Sequence, residues 1–296
     1  MSKYRTPLRY PGGKQRLASF VAEVLECNDA LGWNYVEPYA GGAGIAMELL
    51  VGNKVKRVYL NDSSFHVYAF WNAILSDAER FCRRISRAAL TLDAWRKHRE
   101  VIRHPGEHSL FEVGFSTFYL NRCNRSGILT AGVIGGLEQV GRWRIDARYM
   151  RNELIKRIET IAEYSNRIVV SNLDAEHFMV ARVNKLAPTT LVYCDPPYYE
   201  RAKRLYLNTY QRDDHVRLAG VIQRKLHRPW LVSYDGHPKV ISLYRQRRRF
   251  RYNLHYSAVR AHAGTEVFVF SDDLVLPRTS SIPYIAAALR HCRRSA

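Results

Sequence analysis

The stretch Leu191-Val192-Tyr193-Cys194-Asp195-Pro196-Pro197-Tyr198 joins four apolar residues to an acid, two prolines and a tyrosine. The apolar run predicts a buried strand, and the prolines that follow would end it. Asp195 then lies at the carboxyl end of a strand, the edge where ligands collect in open α/β sheets. A strand that merely stops in a proline turn is the alternative for this stretch.

Alternating strand and helix patterns surround this strand. Tyr35-Val36 runs into a glycine-rich turn, a helical pattern follows it, and the next apolar run, residues 55–60, ends at Asn61-Asp62. The alternation returns after residue 151, and residues 251–259 and 267–270 are typical of an antiparallel pair. We therefore predict an α/β protein whose doubly wound sheet is mixed.

The middle of the chain has a different character. Residues 65–122 carry successive helical patterns with no clear strand between them, and a polar, glycine-rich stretch continues to Gly141. We predict a mainly helical insertion over 65–151. It divides one domain into a first part, 1–64, and a second part, 152–296.

The net charge predicts an anionic partner. Lys and Arg number 46 against 27 Asp and Glu, a formal net charge of +19 with a pI near 9.9. Such an excess is typical of proteins that bind nucleic acid, although a basic surface without a specific partner is the alternative.

The remaining composition argues against metal, disulfide and membrane chemistry. Five cysteines are widely spaced without a C-x-x-C pair, and His104 and His108 merely flank the turn Pro105-Gly106. No apolar stretch approaches the ~18 residues of a membrane span, and no signal-peptide core follows the N-terminus. We expect a cytoplasmic protein with no metal and no membrane partner.

The first glycine-rich turn suggests a ligand site. Gly41 and Gly44 allow a ligand to approach the backbone, and Asp62, at the end of the next strand, is positioned to bind ribose hydroxyls. A dinucleotide enzyme would fit these features too. Because the spacing is not G-x-G-x-x-G, a turn without function and an ordinary turn role for Asp62 stay open.

Further motifs lie in order over nearly the whole chain. They are Leu8-Arg9-Tyr10-Pro11-Gly12-Gly13-Lys14, Glu37-Pro38-Tyr39, Asn61-Asp62, Phe118-Tyr119-Leu120-Asn121-Arg122, Ser126-Gly127, Leu205-Tyr206 with Tyr210, and Gly264-Thr265-Glu266. With the motif at Asp195, they resemble Dam-type DNA adenine-N6 methyltransferases, which use S-adenosylmethionine. The resemblance implies a Rossmann-like class I methyltransferase sheet whose inserted helical region, 65–151, recognises the target DNA.

The resemblance also implies a cofactor site. Tyr10 would offer an aromatic face to the sulfonium, and Lys14 would engage carboxylates of the cofactor or the pocket. Asp174 would bind the adenine end of the cofactor, with a helix N-cap as its alternative. The full set of implied cofactor residues is Tyr10, Lys14, Glu37, Gly41, Gly44, Asp62, Asp174 and Asp195.

Three residues carry the catalysis that the resemblance implies. Asp195 and the carbonyl of Pro196 would accept the two protons of the adenine amine, and Tyr198 would stack on the base. The methyl group would move by direct in-line displacement without a covalent enzyme intermediate. The base lies inside the duplex stack, so it must be flipped out first.

The implied DNA contacts lie in and after the helical run. Asn121, Arg122 and Arg125 are the candidates, and arginines on a solvated face are the alternative. Relatives that read GATC tend to carry Arg shortly after Gly-Leu, whereas this chain has Gly127-Ile128-Leu129-Thr130. We therefore assign no target site.

Other functions remain as competing hypotheses. A catalytically idle DNA-binding module would not need Tyr10, Lys14, Asp62 and Asp195. A third hypothesis is a related methyltransferase that acts on cytosine N4, RNA or a protein amide; enzymes for cytosine N4 usually carry Ser, and those for protein amides Asn, at the position of Asp195. We expect double-stranded DNA as the partner of a monomer or weak dimer in a bacterial or phage setting. Restriction-modification and orphan roles are equally compatible with the sequence.

Overall fold

The computed structural model describes residues 6–9, 14–199, 210–256 and 262–294. Its strands are β1 (Asn34–Glu37), β2 (Arg57–Asn61), β3 (Ile168–Ser171), β4 (Thr190–Cys194), β5 (Trp230–Asp235), β6 (Arg249–Tyr256) and β7 (His262–Phe270). Its α-helices are α1 (Ala18–Cys27), α2 (Gly44–Val51), α3 (Phe65–Ser76), α4 (Ala78–Arg87), α5 (Leu92–Arg103), α6 (Leu110–Cys123), α7 (Arg151–Ala162), α8 (Ala175–Ala181), α9 (Arg212–Arg224), α10 (Pro238–Leu243) and α11 (Pro283–Arg294).

Within the described residues the strands form one seven-stranded sheet in the order β3-β2-β1-β4-β5-β7-β6. Strand β7 is antiparallel to both of its neighbours, and the other pairs are parallel. The mixed α/β sheet predicted from the sequence is confirmed. The strand order reverses between β1 and β4, the point at which open α/β sheets bind ligands beyond the carboxyl ends of their strands.

The strand registers bring three strand ends together at this point. Val36 of β1 pairs with Val192 of β4, and Val232 of β5 pairs with Cys194 of β4. Strand β4 is buried over its whole length, as expected for a central strand covered by helices on both faces. The residues that follow these pairs therefore lie side by side at one edge of the sheet.

Helices α3 to α6 follow β2 and precede β3. Aromatic side chains hold them together, with Phe81 5.2 Å from Phe115 and 5.4 Å from Phe118 between ring centroids. The same buried cluster includes Leu60 of β2 and Phe20 of α1, so one hydrophobic core runs from the sheet into these helices. Residues 65 and 151 as the limits of a separate recognition unit stay a prediction.

Three elements differ from the sequence-based prediction. Helices α10 and α11 were not predicted; the ring of Tyr284 on α11 stacks on Tyr252 of β6 at 6.1 Å. Residues 262–265, expected as a connection, belong to β7, where Gly264 pairs with Leu254 through the backbone. Backbone pairing needs no particular side chain, which explains why the strand extends through a turn-like sequence.

The described residues lack both a membrane-spanning helix and a cluster of metal-binding side chains. None of the helices described is long and apolar enough to cross a membrane. This part of the chain also contains no group of three or more His, Cys, Asp or Glu side chains placed to hold a metal ion.

Candidate active site

Asp195 directly follows β4, at the carboxyl edge where the strand order reverses. Its side chain is 25% exposed, Ser233 Oγ at the end of β5 donates a hydrogen bond of 2.9 Å to Oδ1, and Lys14 Nζ lies 3.8 Å from the same oxygen. Burial raises the pKa of Asp195 to about 6; the Lys14 ammonium opposes this rise and the Glu266 carboxylate adds to it.

Hydrogen bonds connect the loop after Asp195 to two other strands, β5 and β7. The hydroxyl of Tyr198 donates a 2.7 Å hydrogen bond to Glu266 Oε1 on β7. The backbone N–H of Tyr199 donates a 3.1 Å bond to Asp235 Oδ1 at the end of β5. The proline turn is therefore held in place by side chains that come from distant parts of the sequence.

Lys14 reaches this loop from the segment before α1. It is 6% exposed, and its Nζ donates to Glu266 Oε2 while lying 5.1 Å from the centroid of the Tyr198 ring. Tyr10, the other residue of this segment with a predicted cofactor role, lies outside the described residues.

Two hydrogen bonds and one close packing contact fix the glycine-rich turn after β1. Gly41 has a left-handed φ of 46°, its N–H donates a 2.8 Å bond to Asp62 Oδ2, and its carbonyl accepts a 2.9 Å bond from Trp71 Nε1. Gly44 begins α2, where an added Cβ would lie 2.9 Å from the Cβ of Gln15. Glycine at these two positions permits a turn that other residues would strain.

Two carboxylates flank this turn. Oε1 of Glu37 accepts hydrogen bonds from the Tyr35 hydroxyl at 3.1 Å and the Ala46 N–H at 3.0 Å, and burial raises the pKa of Glu37 to about 8. Oδ1 of Asp62 accepts a 2.9 Å bond from the Ser64 N–H, and burial raises the pKa of Asp62 to about 6. Both carboxylates therefore stabilise the turn, and Asp62 is partly open to solvent.

Asp174 has the helix-cap role that was one of its two predicted alternatives. Its Oδ1 accepts a 3.0 Å hydrogen bond from the N–H of His177 at the start of α8. Its side chain is exposed, so the cap does not exclude a second contact.

Two of the predicted DNA-contacting residues face the protein interior. Asn121 exchanges two 2.7 Å hydrogen bonds with the backbone of Arg9, and Arg122, only 7% exposed, donates to the carbonyl of Pro7. Burial, aided by Arg157 and Arg9, lowers the pKa of Arg122 to about 9. These contacts give Asn121 and Arg122 a role in holding the N-terminal segment, and Arg125 alone of the three is exposed.

Arg125 lines a basic cavity of about 570 Å³ between α5 and the loop after α6. The arginines that line it are Arg96, Arg99, Arg103 and Arg125. The guanidinium of Arg99 lies 4.7 Å from the Trp95 ring, which keeps one face of this cavity ordered.

Comparisons with known proteins bear on this arrangement. Residues 10–261 match the family model described as D12 class N6 adenine-specific DNA methyltransferase. The chain belongs to the D12 class of adenine-N6 DNA methyltransferases. It is a DNA adenine methyltransferase that uses S-adenosylmethionine, as enzymes of this family do, and its sheet is the Rossmann-like sheet of methyltransferases.

Two relatives resemble this methyltransferase over most of their length. The retron Ec67 DNA adenine methylase of Escherichia coli is 24% identical over 247 residues, 80% of this chain and 76% of the relative. The type II methyltransferase M.MjaIII of Methanocaldococcus jannaschii is 23% identical over 236 residues, 72% of this chain and 77% of the relative.

Among solved structures, the chain is similar to the rRNA methyltransferase aviRa from Streptomyces viridochromogenes. The alignment covers 89% of this chain and 87% of the aviRa chain. The identity is 14% and the TM-score is 0.38, a likeness too weak to bear on function.

The chemistry of the sheet edge fits the cofactor of the methyltransferase. S-Adenosylmethionine carries a positive sulfonium and a ribose, and the edge presents the carboxylates of Asp62 and Asp195 beside a glycine turn. Carboxylates attract a cation and accept hydrogen bonds from hydroxyl groups.

Sequence reasoning missed residues that position the site of the methyltransferase. Ser233 and Asp235 hold the loop of Asp195, and Tyr252 donates a 2.5 Å hydrogen bond to Glu266. Residues 230–233 are an apolar run that predicts a strand ending at Ser233, and Asp235 ends the strand β5 of the structure, so both lie at a strand end as Asp195 does. Tyr252 carries no comparable signal.

Proposed function

We propose that this methyltransferase methylates N6 of an adenine that is flipped out of double-stranded DNA into the pocket beside Asp195. One observation carries the proposal. A partly exposed carboxylate follows the central strand, hydrogen-bonded by Ser233 and close to Lys14, next to a tyrosine ring whose hydroxyl is fixed.

Asp195 and Pro196 would orient the amine. The lone pair of the exocyclic nitrogen is delocalised into the adenine ring, so the amine is a poor nucleophile in its planar form. Acceptance of one N–H by the Asp195 carboxylate and the other by the Pro196 carbonyl would direct the lone pair toward the methyl donor. Each proline fixes its own φ near −65° and lacks an N–H, which restricts the turn. The reaction is a direct displacement that needs no covalent enzyme intermediate.

The cofactor supplies a methyl group on a sulfonium centre. Asp62 would accept hydrogen bonds from its ribose, Gly41 and Gly44 would allow its close approach, and Glu37 keeps the turn in shape. Lys14 and Asp195 would border the methionine end, with Tyr10 beside the sulfonium, and exposed Asp174 would reach the adenine end.

Tyr198 would stack on the flipped base. Base flipping costs a few kcal/mol, which stacking and hydrogen bonds inside the pocket help to offset. The ring is buried, and its hydroxyl is already bonded to Glu266. Little side-chain freedom is therefore lost when the base arrives.

The DNA backbone would lie along the insertion over residues 65–151. Four arginine side chains line its cavity, and Arg125 there is the predicted DNA contact that is exposed. Guanidinium groups bind phosphates and also read guanine. Asn121 and Arg122 would act indirectly, because their side chains hold the N-terminal segment under this loop. We assign no target sequence, and we propose a monomer or weak dimer that acts on DNA in the cytoplasm.

The decisive experiment follows the methyl group. The protein is incubated with methyl-labelled S-adenosylmethionine and unmethylated DNA of mixed sequence, and the DNA is digested to nucleosides. We expect label in N6-methyl-deoxyadenosine. Label in cytosine, or an absence of label from a protein that binds the cofactor, would contradict the proposal.

A matched pair of variants tests the role of Asp195. Asp195→Ala should lower turnover at least ~1,000-fold while DNA affinity stays within about threefold, because the carboxylate acts on the reacting amine. Asp213→Ala removes an exposed carboxylate in the first turn of α9 and should leave turnover unchanged. Substantial turnover by Asp195→Ala would exclude the assigned role.

A further inference from the structure

Glu266 lies on β7 and is 1% exposed, although nothing in the methylation scheme above assigns it a task. A carboxylate without solvent needs hydrogen-bond donors. Among the described residues, the hydroxyl of Tyr198 donates to Oε1 of Glu266, and the hydroxyl of Tyr252 and the ammonium of Lys14 donate to Oε2.

These donors come from two different parts of the molecule. Tyr252 belongs to the scaffold, since it faces Glu266 across the β6–β7 pair and its ring stacks on Phe268 at 4.9 Å. Tyr198 and Lys14 belong to the pocket, and they flank Asp195. Glu266 therefore connects a rigid strand pair to the two side chains that border the reacting amine.

We propose that Glu266 is a positioning residue of the target-base pocket. One of its oxygens fixes the stacking ring of Tyr198, and the other binds the ammonium of Lys14, which stays 3.8 Å from Asp195 Oδ1 instead of closing to hydrogen-bond distance. This inference rests on the proposed function, because it takes Tyr198 as the stacking face and Asp195 as the acceptor of the amine.

The distances around Lys14 support this division of roles. Its Nζ bonds to Glu266 and stays 3.8 Å from Asp195 Oδ1, near enough to stabilise the negative charge yet beyond a normal hydrogen bond. Without the charge on Glu266, the remaining ion-pair partner of the ammonium among the described residues is Asp195. A closed Lys14–Asp195 pair would compete with the adenine amine for the same carboxylate.

The test compares Glu266→Gln and Tyr198→Phe with wild type in the methyl-transfer assay, with kcat and the KM for DNA measured separately. Glu266→Gln should lower kcat about 10- to 100-fold, because the ring and the ammonium lose their fixed positions, while KM changes less than about threefold. Tyr198→Phe keeps the ring and loses only one hydrogen bond, so kcat should fall about 3- to 10-fold.

The pH profile separates positioning from a general loss of stability. Among the described residues, the groups that face Asp195 are Lys14 before α1, Tyr35 and Glu37 on β1, Tyr193 and Cys194 on β4, Ser233 on β5, Tyr252 on β6 and Glu266 on β7. Removal of the negative charge of Glu266 lowers the pKa of Asp195. The acid limb of kcat for Glu266→Gln should therefore move to lower pH, an effect that simple destabilisation does not produce.

The control is Tyr284→Phe. The Tyr284 ring stacks on Tyr252, and its hydroxyl has no hydrogen-bond partner among the described residues, so this variant should keep the kcat of wild type. A folded Glu266→Gln with wild-type kcat and an unmoved acid limb overturns the inference. If Glu266→Gln fails to fold, wild-type kcat in Tyr198→Phe overturns it instead. A wild-type protein that forms no N6-methyl-deoxyadenosine contradicts the proposed function itself.

Discussion

Three carboxylates at the sheet edge share one property, a pKa that burial raises. The pKa moves from 3.8 to about 6 for Asp62 and Asp195, and from 4.5 to about 8 for Glu37. A raised carboxylate pKa means that the folded protein holds the proton more tightly than the unfolded chain. Their contribution to the free energy of unfolding is therefore fully present below the ordinary pKa and is lost as the pH rises through the raised value.

Activity should depend on pH in the opposite direction. Asp195 is a much stronger hydrogen-bond acceptor for the amine as a carboxylate than as a neutral acid, so we expect kcat to fall as the pH decreases through about 6. Turnover is measured from pH 5 to 9 at saturating DNA and cofactor, with thermal unfolding recorded at each pH as the control for stability. A rate that stays flat down to pH 5 would contradict the assigned role of Asp195.

Some site residues could be identified from the sequence and others could not. The two groups differ in how far along the chain their contacts reach. Asp195 and Asp62 end apolar runs, a signal that is local in the chain. Arg122 looked like a surface cation, yet it binds a carbonyl 115 positions away, which no local pattern indicates. The role of Glu266 likewise arises from partners at positions 14, 198 and 252.

At the scale of elements, the loop after α6 rests directly on the segment before α1. Gly127 has a φ of +76°, and a Cβ there would lie 2.5 Å from the carbonyl oxygen of Arg9. Ser126 beside it also has a left-handed φ, of 56°. This backbone is held by the buried Asn121 and Asn124 side chains, so contacts within the protein fix its shape.

Gly127→Ala tests this packing. The left-handed conformation alone costs an alanine about 1–2 kcal/mol, and the clash with Arg9 adds to it, so the free energy of unfolding should fall by more than ~1 kcal/mol. Gly106→Ala is the matched control in the same insertion, because an added Cβ meets nothing within 4 Å. Denaturant unfolding measures both variants, and equal stability would show that the loop does not rest on Arg9 as described.

Most elements were predictable from a strong local pattern: a continuous apolar run in β4, and a helical spacing of apolar residues in the helices that follow β2. Helix α11 was not predicted, although its buried Ile285 and Leu289 have helical spacing; its position depends on packing against β6. Strand β7 was predicted too short, because pairing with β6 carries it through Gly264. The conformation of such segments depends on tertiary contacts, and a local sequence pattern carries no information about those contacts.

At the scale of the whole molecule, the net charge of +19 should govern DNA affinity. Each phosphate that the protein neutralises contributes about 0.9 to the slope of log affinity against log salt. Arg99→Ala with Arg125→Ala should therefore reduce the magnitude of this slope by about 2. Lys185→Ala with Lys225→Ala is the control, since these exposed lysines precede β4 and β5 at the opposite edge of the sheet. An equal slope in both double variants would place the DNA elsewhere.

The continuous hydrophobic core has a consequence for how such an enzyme acquires a new target sequence. Leu60 of the sheet and Phe70, Phe81 and Phe118 of the insertion belong to one buried cluster, so α3 to α6 are not an exchangeable cassette. A graft of foreign helices would open cavities in the catalytic half, at several kcal/mol for each large side chain lost. Evolution and engineering alike have most freedom at the exposed positions of the loop after α6, such as Leu137, Val140 and Trp143, where a substitution leaves the shared interior untouched.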